Sequence, residues 1–581
     1  MAQATQRSAR QRGLATARAL VRALTVTRAG AALVEALAVA GLISALAGWH
    51  WALTALLTAV ALGCTVASGV RLVVALKTLI RPTGTFMVTR ILCVLTVGFL
   101  RSAAAPAPIG TDSVLHWLTA LLLSMVLLGE MLVTALAGAA TPYGVNLAGL
   151  RVRNTPLLPA PRIFFINVVA LLVYAALSAL DAPGWLELLV SIVAALLTFV
   201  FLVDCAVRVR ARWRWDRGLP ELLAAHAPTF LVHWDAPRGS IHQLGMWLPY
   251  LERLEQPFLV VLRNANTLAE VEKLTRAPIL VRRRVSDLDA MLTPTLKAVF
   301  YVNTAPKNLH MLRYLEVRQI QLNHGDSDKA PSYRRLFKMY DRNFVAGQAA
   351  IDRFADHGVE VPREAFEIVG RPQVESIEIQ HRPILELTSP RVLYAPTWFG
   401  YLDDSRYSSL PIGLTIVQAL VTRGCQVIFR PHPWARNTAS LAREADRIAE
   451  FLKADASASG RDHLWGEPAE NQLSILDCFN VADAMVSDVS SVVADFMYSE
   501  KPFAICAMDS GSPDEFLADF PLGRAAYVLA ADLSNLDAVL AEMLRSDPLT
   551  PVRREFKSYY LGDFPADRYA DGFLDVARRY L

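Results

Sequence analysis

Residues 391–434 read RVLYAPTWFGYLDDSRYSSLPIGLTIVQALVTRGCQVIFRPHPW. A short apolar run (391–396), an amphipathic stretch stopping at Gly424 (409–424) and a second apolar run (426–431) follow one another. The outer runs predict strands. The stretch between them predicts a helix, because a glycine just past the last apolar turn ends a helix. Apolar strands joined by a helix imply parallel pairing in a sheet covered on both faces. The pattern continues outward in AMVS (484–487), FAICAM (503–508) and AYVLA (526–530). An earlier series runs through FLVHW (230–234), FLVVLR (258–263), ILVRR (279–283), AVFYVN (298–303), IQLN (320–323), FVAG (344–347) and EIVG (367–370). The polar, proline-bearing HRPILELTSP (381–390) separates the two.

These series predict an α/β half made of two Rossmann-like domains, 225–380 and 385–581, facing each other across a cleft. Ligands of such sheets bind beyond the carboxyl ends of the strands. Four strand ends carry polar chemistry. IQLN runs into NHGDSDK (323–329), with His324 and Lys329. VLYAP runs into Pro396, Thr397 and Trp398. VIF runs into RPHPW (430–434), with Arg430, Pro431 and His432. AMV runs into SDVSSVVADFMYSEKPF (487–503), with Ser487, Asp488, Ser490, Ser491 and Asp495.

The last segment is expected to start a helix capped by Ser487 or Asp488. Ser490 and Ser491 then fall in the first turn, where free N–H groups favour a phosphate. Asp495, one turn on, would accept from a ligand hydroxyl. Arg430 is expected to pair with phosphate oxygens and His432 to exchange a proton with them. Gly325 lets a ligand approach the backbone beside His324. Together these describe a diphosphate site with a base across from it. Each piece also has a plain structural reading: a capped helix, a strand-end ion pair, a common His-Gly turn.

The first 217 residues differ in kind. The chain of 581 residues is 53% hydrophobic and 19% charged, with mean hydropathy +0.31. Soluble domains average about 25% charged, and residues 1–207 hold most of the excess apolarity. Apolar stretches of about 20 residues can cross a hydrocarbon core as helices. Six are expected, at 31–48, 51–70, 91–109, 114–138, 163–180 and 185–207, the third interrupted by Arg101 and ended by Pro106 and Pro108. Basic residues cluster in alternate loops: the N-terminal arm, then Arg71, Lys77 and Arg81, then Arg151, Arg153 and Arg162, then Arg208, Arg210, Arg212, Arg214 and Arg217. Positive loops stay cytosolic. Both termini and the α/β half should therefore face the cytosol of a multi-pass membrane protein. No cleavable leader is expected. VRVRARWRWDRG (207–218) reads as an interfacial anchor on anionic lipid. Glu35, Glu130, Glu187 and Asp204 fall in or near spans and read as single acids without basic partners, which weakens any transport reading.

The balance of 58 basic and 54 acidic residues excludes a nucleic-acid partner on charge grounds. Six scattered cysteines with no CxxC pair exclude a disulfide framework and a zinc site.

In this order and at these spacings, HG…K, YAPTW, RPHP and SDxSSxxxDF resemble the CDP-glycerol glycerophosphotransferase family, the teichoic-acid primases and polymerases of GT-B fold. The resemblance covers residues 300–510 in motifs and 225–575 as a fold. It implies that His324 and His432 are catalytic. It implies substrate contacts from Asn323, Gly325, Asp326, Ser327, Lys329, Arg371, Pro396, Thr397, Arg430, Pro431, Ser487, Asp488, Ser490, Ser491 and Asp495, with Arg371 in GRPQ standing for the family's arginine after a G-x-P turn. It implies transfer of glycerol phosphate, or a related alditol phosphate, from CDP-glycerol or a related CDP-alditol to a polyprenyl-linked or polyol-phosphate acceptor at a lipid membrane, with release of CMP. No cofactor is required. Mg2+ is the cation option, at Asp326 and Asp328, since Asp403–Asp404 lacks the spacing of a metal motif. The family usually has W-H-G-T where this chain has N-H-G-D. The rival reading is a membrane-bound GT-B glycosyltransferase using a nucleotide sugar.

Overall fold

The computed structural model describes residues 28–76, 86–103, 110–140, 144–148, 157, 159–160, 162–237, 239–325, 327–328, 330–379, 382–399, 407–508, 510 and 512–581. Asp326, Lys329, Asp403, Asp404 and the loop cations Lys77, Arg81, Arg151 and Arg153 lie outside them. The chain divides into two units, one of residues 1–143 and 149–219, the other of residues 144–148 and 220–581.

The second unit holds two sheets. Strands of the first are β1 (Gly144–Val145), β2 (Phe230–Trp234), β3 (Phe258–Leu262), β4 (Ile279–Val281), β5 (Ala298–Tyr301), β6 (Arg318–Gln321), β7 (Arg342–Val345) and β8 (Phe366–Ile368). Their order is β1-β4-β3-β2-β5-β6-β7-β8. All neighbours are parallel except β1 with β4. The second sheet is β9 (Arg391–Ala395), β10 (Gln426–Phe429), β11 (Ala484–Ser487), β12 (Phe503–Ala507) and β13 (Tyr527–Ala530), in the parallel order β10-β9-β11-β12-β13. These are the two doubly wound orders, with chain reversals between β2 and β5 and between β9 and β11. A ligand crevice opens at such a reversal. The Rossmann-like pair read from the sequence is present. The edge strand β1 lies in the stretch between two expected spans, where the sequence shows only a loop. Gly144 fits it because a Cβ there would lie 2.6 Å from the Ile279 carbonyl oxygen.

Alternation along the second sheet builds a core on each face. Leu393, Ala395, Met485 and Ile505 pack on one side, while Val392, Tyr394, Val427, Phe429, Val486 and Cys506 pack on the other. Each fully buried side chain of this size contributes about 1.5–3 kcal/mol. The helix Leu410–Thr422 crosses from β9 to β10, and Gly424 ends the turn at φ +81°. The final helix, Asp571–Arg578, leaves the second sheet. Its Phe573, Leu574, Val576 and Ala577 complete the core of the first, beside Trp234, Phe300 and Phe344.

In the first unit, helices occupy all six expected span positions among the described residues: Arg28–Leu46, Trp51–Leu76, Met87–Ala103, Thr111–Ala139, Arg162–Ala179 and Gly184–His226. Three are long and apolar enough to cross a membrane by length and composition: Thr111–Ala139, Arg162–Ala179 and Gly184–His226. The reading of unpaired acids is corrected here. Arg90 meets Glu130 through two hydrogen bonds of 2.8 and 3.0 Å, both side chains being fully buried. Asn167 donates to the same carboxylate at 3.2 Å. His116 Nδ1 lies 2.5 Å from Glu187, and Asp204 pairs with Arg208. The partners of Glu130 and Glu187 lie 40 and 71 residues away, beyond any local sequence signal. A charge in an apolar bundle persists when paired and hydrogen-bonded.

Candidate functional site

The chain leaves β6 through a loop locked on itself. Asn323 takes a positive φ of 56°, a conformation asparagine tolerates better than most residues. Its amide donates to the Gly325 carbonyl at 2.8 Å, and its side-chain oxygen accepts from the His324 N–H at 2.9 Å. Trp247 Nε1 donates to the Asn323 carbonyl at 2.5 Å. His324 Nδ1 lies 3.1 Å from the Val302 carbonyl. A carbonyl only accepts, so Nδ1 carries the proton and Nε2 is the ring's acceptor. Burial pulls this imidazole down to about 4, with smaller contributions from His242 and Arg371, while the Val302 bond acts the other way. The ordinary histidine value of about 6.5 expected for a base therefore does not hold. His324 is neutral, and able to take a proton, throughout the neutral range.

Across the cleft, β11 ends at Ser487. The capping reading is corrected: the N-cap residue is Ser490, and the helix that follows is only Ser491–Met497. Ser487 Oγ instead donates to the Ala395 carbonyl at 2.7 Å. Buried Asp488 accepts from the Thr397 N–H at 2.6 Å and the Ser409 N–H at 3.1 Å. This carboxylate ties together the loop after β9, the start of Leu410–Thr422 and the loop after β11. Pro396 accepts from the His432 N–H at 2.9 Å. The chemistry-bearing turns of the second sheet are thus one hydrogen-bonded assembly.

Three side chains do something other than the sequence suggested. Asp495 pairs with buried Arg371, whose Nη2 donates to it at 3.0 Å and whose Nε makes a second bond. The acid expected to meet a ligand hydroxyl thus balances the arginine expected to meet the ligand. Arg430 donates from Nη1 to the Leu473 carbonyl at 2.7 Å and to that of Ala469, bracing residues 468–473. Asp328, a candidate Mg2+ ligand, pairs with Arg353 at 2.9 Å and accepts from the Leu522 N–H at 3.1 Å and the Tyr560 hydroxyl at 3.2 Å. Its oxygens are taken up within the protein.

His432 Nδ1 accepts from the Trp434 N–H at 3.1 Å, so its proton sits on Nε2. Its ring stacks on Trp398, with centroids 6.0 Å apart. The two histidines hold opposite tautomers: His324 offers a lone pair at Nε2, His432 an N–H. Pro431 lies between Arg430 and His432 on the same turn.

The lobes meet at this place. A Cβ on Gly325 would fall 2.9 Å from Ser491 Oγ and 3.0 Å from its Cβ, so the His324 loop touches the start of the Ser491–Met497 helix. One cavity is lined by Trp247, Asn323 and Gly325 of the first lobe and Arg371 of the connection. A second brings Ser327 and Asp328 beside Ser490. Trp247 and His242 gave no signal in the sequence, since neither belongs to a strand end or a motif. Gly325→Ala is expected to push the loops apart and lower kcat/KM about 100-fold, the cost of roughly 1 Å of misplacement. Adding Ser491→Gly should restore the rate toward that of Ser491→Gly alone. Steady-state kinetics on the three variants checks this.

Residues 362–514 match the sequence model of the family described as CDP-Glycerol:Poly(glycerophosphate) glycerophosphotransferase. Over that stretch the chain is glycerophosphotransferase-like. This stretch holds Arg371, β9 to β12 and every candidate residue of the second lobe. No curated protein sequence matches. Among solved structures, the wall teichoic acid polymerase TagF is 13% identical, covering 65% of this chain and 95% of TagF at a TM-score of 0.39. A UDP-N-acetylglucosamine 2-epimerase is 12% identical, covering 61% and 96% at 0.40. HepE of Anabaena, in complex with UDP and glucose, is 11% identical, covering 60% and 99% at 0.36.

Proposed function

We propose that the transferase moves glycerol phosphate, or a related alditol phosphate, from CDP-glycerol to a hydroxyl of a polyprenyl-linked or polyol-phosphate acceptor. The observation that carries this is the contact of the His324 loop with the Ser491 helix start. It sets a neutral imidazole of one lobe against the strand-end loops of the other. His324 Nε2 takes the proton of the acceptor hydroxyl. The oxygen attacks the distal phosphorus, the bond from that phosphorus to the bridging oxygen breaks, and CMP leaves with the electron pair. His432, with its proton on Nε2, donates to a phosphate oxygen as charge builds. Ser490 and Ser491, at the start of the Ser491–Met497 helix, offer hydroxyls and backbone N–H groups to the phosphates. Such transfer depends mainly on alignment and charge stabilisation. Mg2+ is not needed for these steps, and dialysis against EDTA is expected to leave the rate unchanged.

Three helices long and apolar enough to cross a membrane support an anchor there, and the reading extends it to six spans of a bacterial cell membrane. The basic loops favour cytosolic lobes and termini. A tethered enzyme meets a lipid-linked acceptor at a raised local concentration. Incubation with labelled CDP-glycerol, CDP-ribitol and UDP-sugars, followed by mass analysis of products, tests the reading. Alditol phosphate in the product with CMP released is the expected result. Transfer from a UDP-sugar alone would replace it with the glycosyltransferase reading.

A further inference from the structure

The loops after β2, β5 and β6 are bonded to one another. The Asn303 amide, after β5, donates to the Asp235 carbonyl at 3.1 Å and to Gln243 Oε1 at 3.0 Å, both after β2. His324, after β6, is bonded to the Val302 carbonyl, and Trp247 Nε1 donates to the Asn323 carbonyl. The first sheet reverses its chain order between β2 and β5, where a doubly wound sheet opens its ligand crevice. The short helix Ile241–Gly245 stands at that point. Its His242 meets the His324 ring edge to face, with centroids 6.4 Å apart and planes at 70°. The loop leading into this helix also approaches the second lobe: a Cβ on Gly239 would lie 3.6 Å from Trp434 Nε1. His242 is exposed and His324 half-buried, so both rings are open to a ligand.

The bonds of each ring define what it offers. The proton of His324 is on Nδ1, which leaves a lone pair on Nε2. The His242 ring is bonded to the Gly239 carbonyl. A carbonyl only accepts, so the nitrogen that meets it carries the proton, and the second nitrogen of the neutral ring carries a lone pair. Among the described residues no side chain engages that second nitrogen. Desolvation by the surrounding loops holds His242 below the ordinary histidine value, against the Gly239 bond, and the two rings disfavour each other's charge. The crevice therefore presents two neutral acceptors side by side. An ionised phosphate, which has no proton to donate, gains nothing from either. A lone alcohol satisfies one. Hydroxyls on adjacent carbons satisfy both, with a hydrogen bond of about 2.8 Å to each ring.

We propose that His242 is an acceptor-binding residue: it accepts from the hydroxyl next to the one that His324 deprotonates, and so selects an acceptor ending in a vicinal diol. This rests on the glycerophosphotransfer reading. A chain that ends in glycerol phosphate carries such a diol at its free end. Holding the second hydroxyl fixes the rotation of that end and aligns the attacking oxygen.

The test uses the full chain in nanodiscs and two acceptors, one ending in glycerol phosphate and one in 3-hydroxypropyl phosphate. The second keeps the primary hydroxyl and lacks its neighbour. Steady-state kinetics and equilibrium binding are measured for wild type, His242→Ala and His242→Gln, with CDP-glycerol affinity as the control for folding. Wild type is expected to favour the glycerol end about tenfold in kcat/KM, the worth of one hydrogen bond. His242→Ala should lose about tenfold with the glycerol end and nothing with the hydroxypropyl end, so that the preference disappears while CDP-glycerol affinity is kept. His242→Gln, which retains an acceptor oxygen, should keep part of the preference. No preference in wild type, an undiminished preference in His242→Ala, or an equal loss with both acceptors overturns the proposal. A binding preference that His242→Ala abolishes, without transfer to either acceptor, would support the subsite and remove only the transfer reading.

Discussion

Replacing His324 with alanine is expected to lower transfer by about 10² to 10⁴, the usual worth of a general base, while CDP-glycerol still binds. The Asn323 loop and the Val302 carbonyl fix the ring and its tautomer, so little else is disturbed by the change. The pH profile gives a second signature. Burial lowers the imidazole to about 4, so the free base is complete above about pH 5 and is lost only as pH falls through 4. The acid limb of kcat/KM should therefore have its midpoint near 4, not near the ordinary 6.5, and should vanish in His324→Ala. Near wild-type turnover of the purified variant would remove the assignment.

Asp495→Asn is expected to destabilise the protein by about 3–5 kcal/mol, because it leaves the buried Arg371 guanidinium without its carboxylate. Chemical denaturation with wild type as reference measures this. A double change, Arg371→Met with Asp495→Leu, removes both charges and should recover much of the stability. It separates structure from function: a stable but inactive double variant means that Arg371, which lines the cavity shared with Asn323 and Gly325, also serves the substrate. A fully active double variant would confine the pair to a structural part. Unchanged stability in Asp495→Asn would contradict the geometry of the pair.

Both sheets were legible because each core strand is an apolar run, and the strand ends that carry His324, Thr397, His432 and Ser490 could be placed from those runs. What escaped was pairing at long range. Asp495 finds Arg371 over 124 residues. Asp488 finds Thr397 and Ser409 over 91 and 79. Local sequence carries no trace of such partners, so a motif acid reads as a ligand when it is a brace. The cap differs for a related reason: Ser487, next to the strand, is drawn to the Ala395 carbonyl of the neighbouring strand, and the N-cap falls three residues later, at Ser490.

The return of Asp571–Arg578 to the first sheet has a consequence for biogenesis. β8, the last strand of that sheet, leaves the ribosome about 200 residues ahead of Phe573. At 5–20 residues per second the first lobe waits roughly 10 to 40 s with an open gap beside Trp234 and Phe344. Its maturation is thus coupled to the end of translation, and a nonsense codon anywhere in the second lobe would yield a first lobe that cannot close.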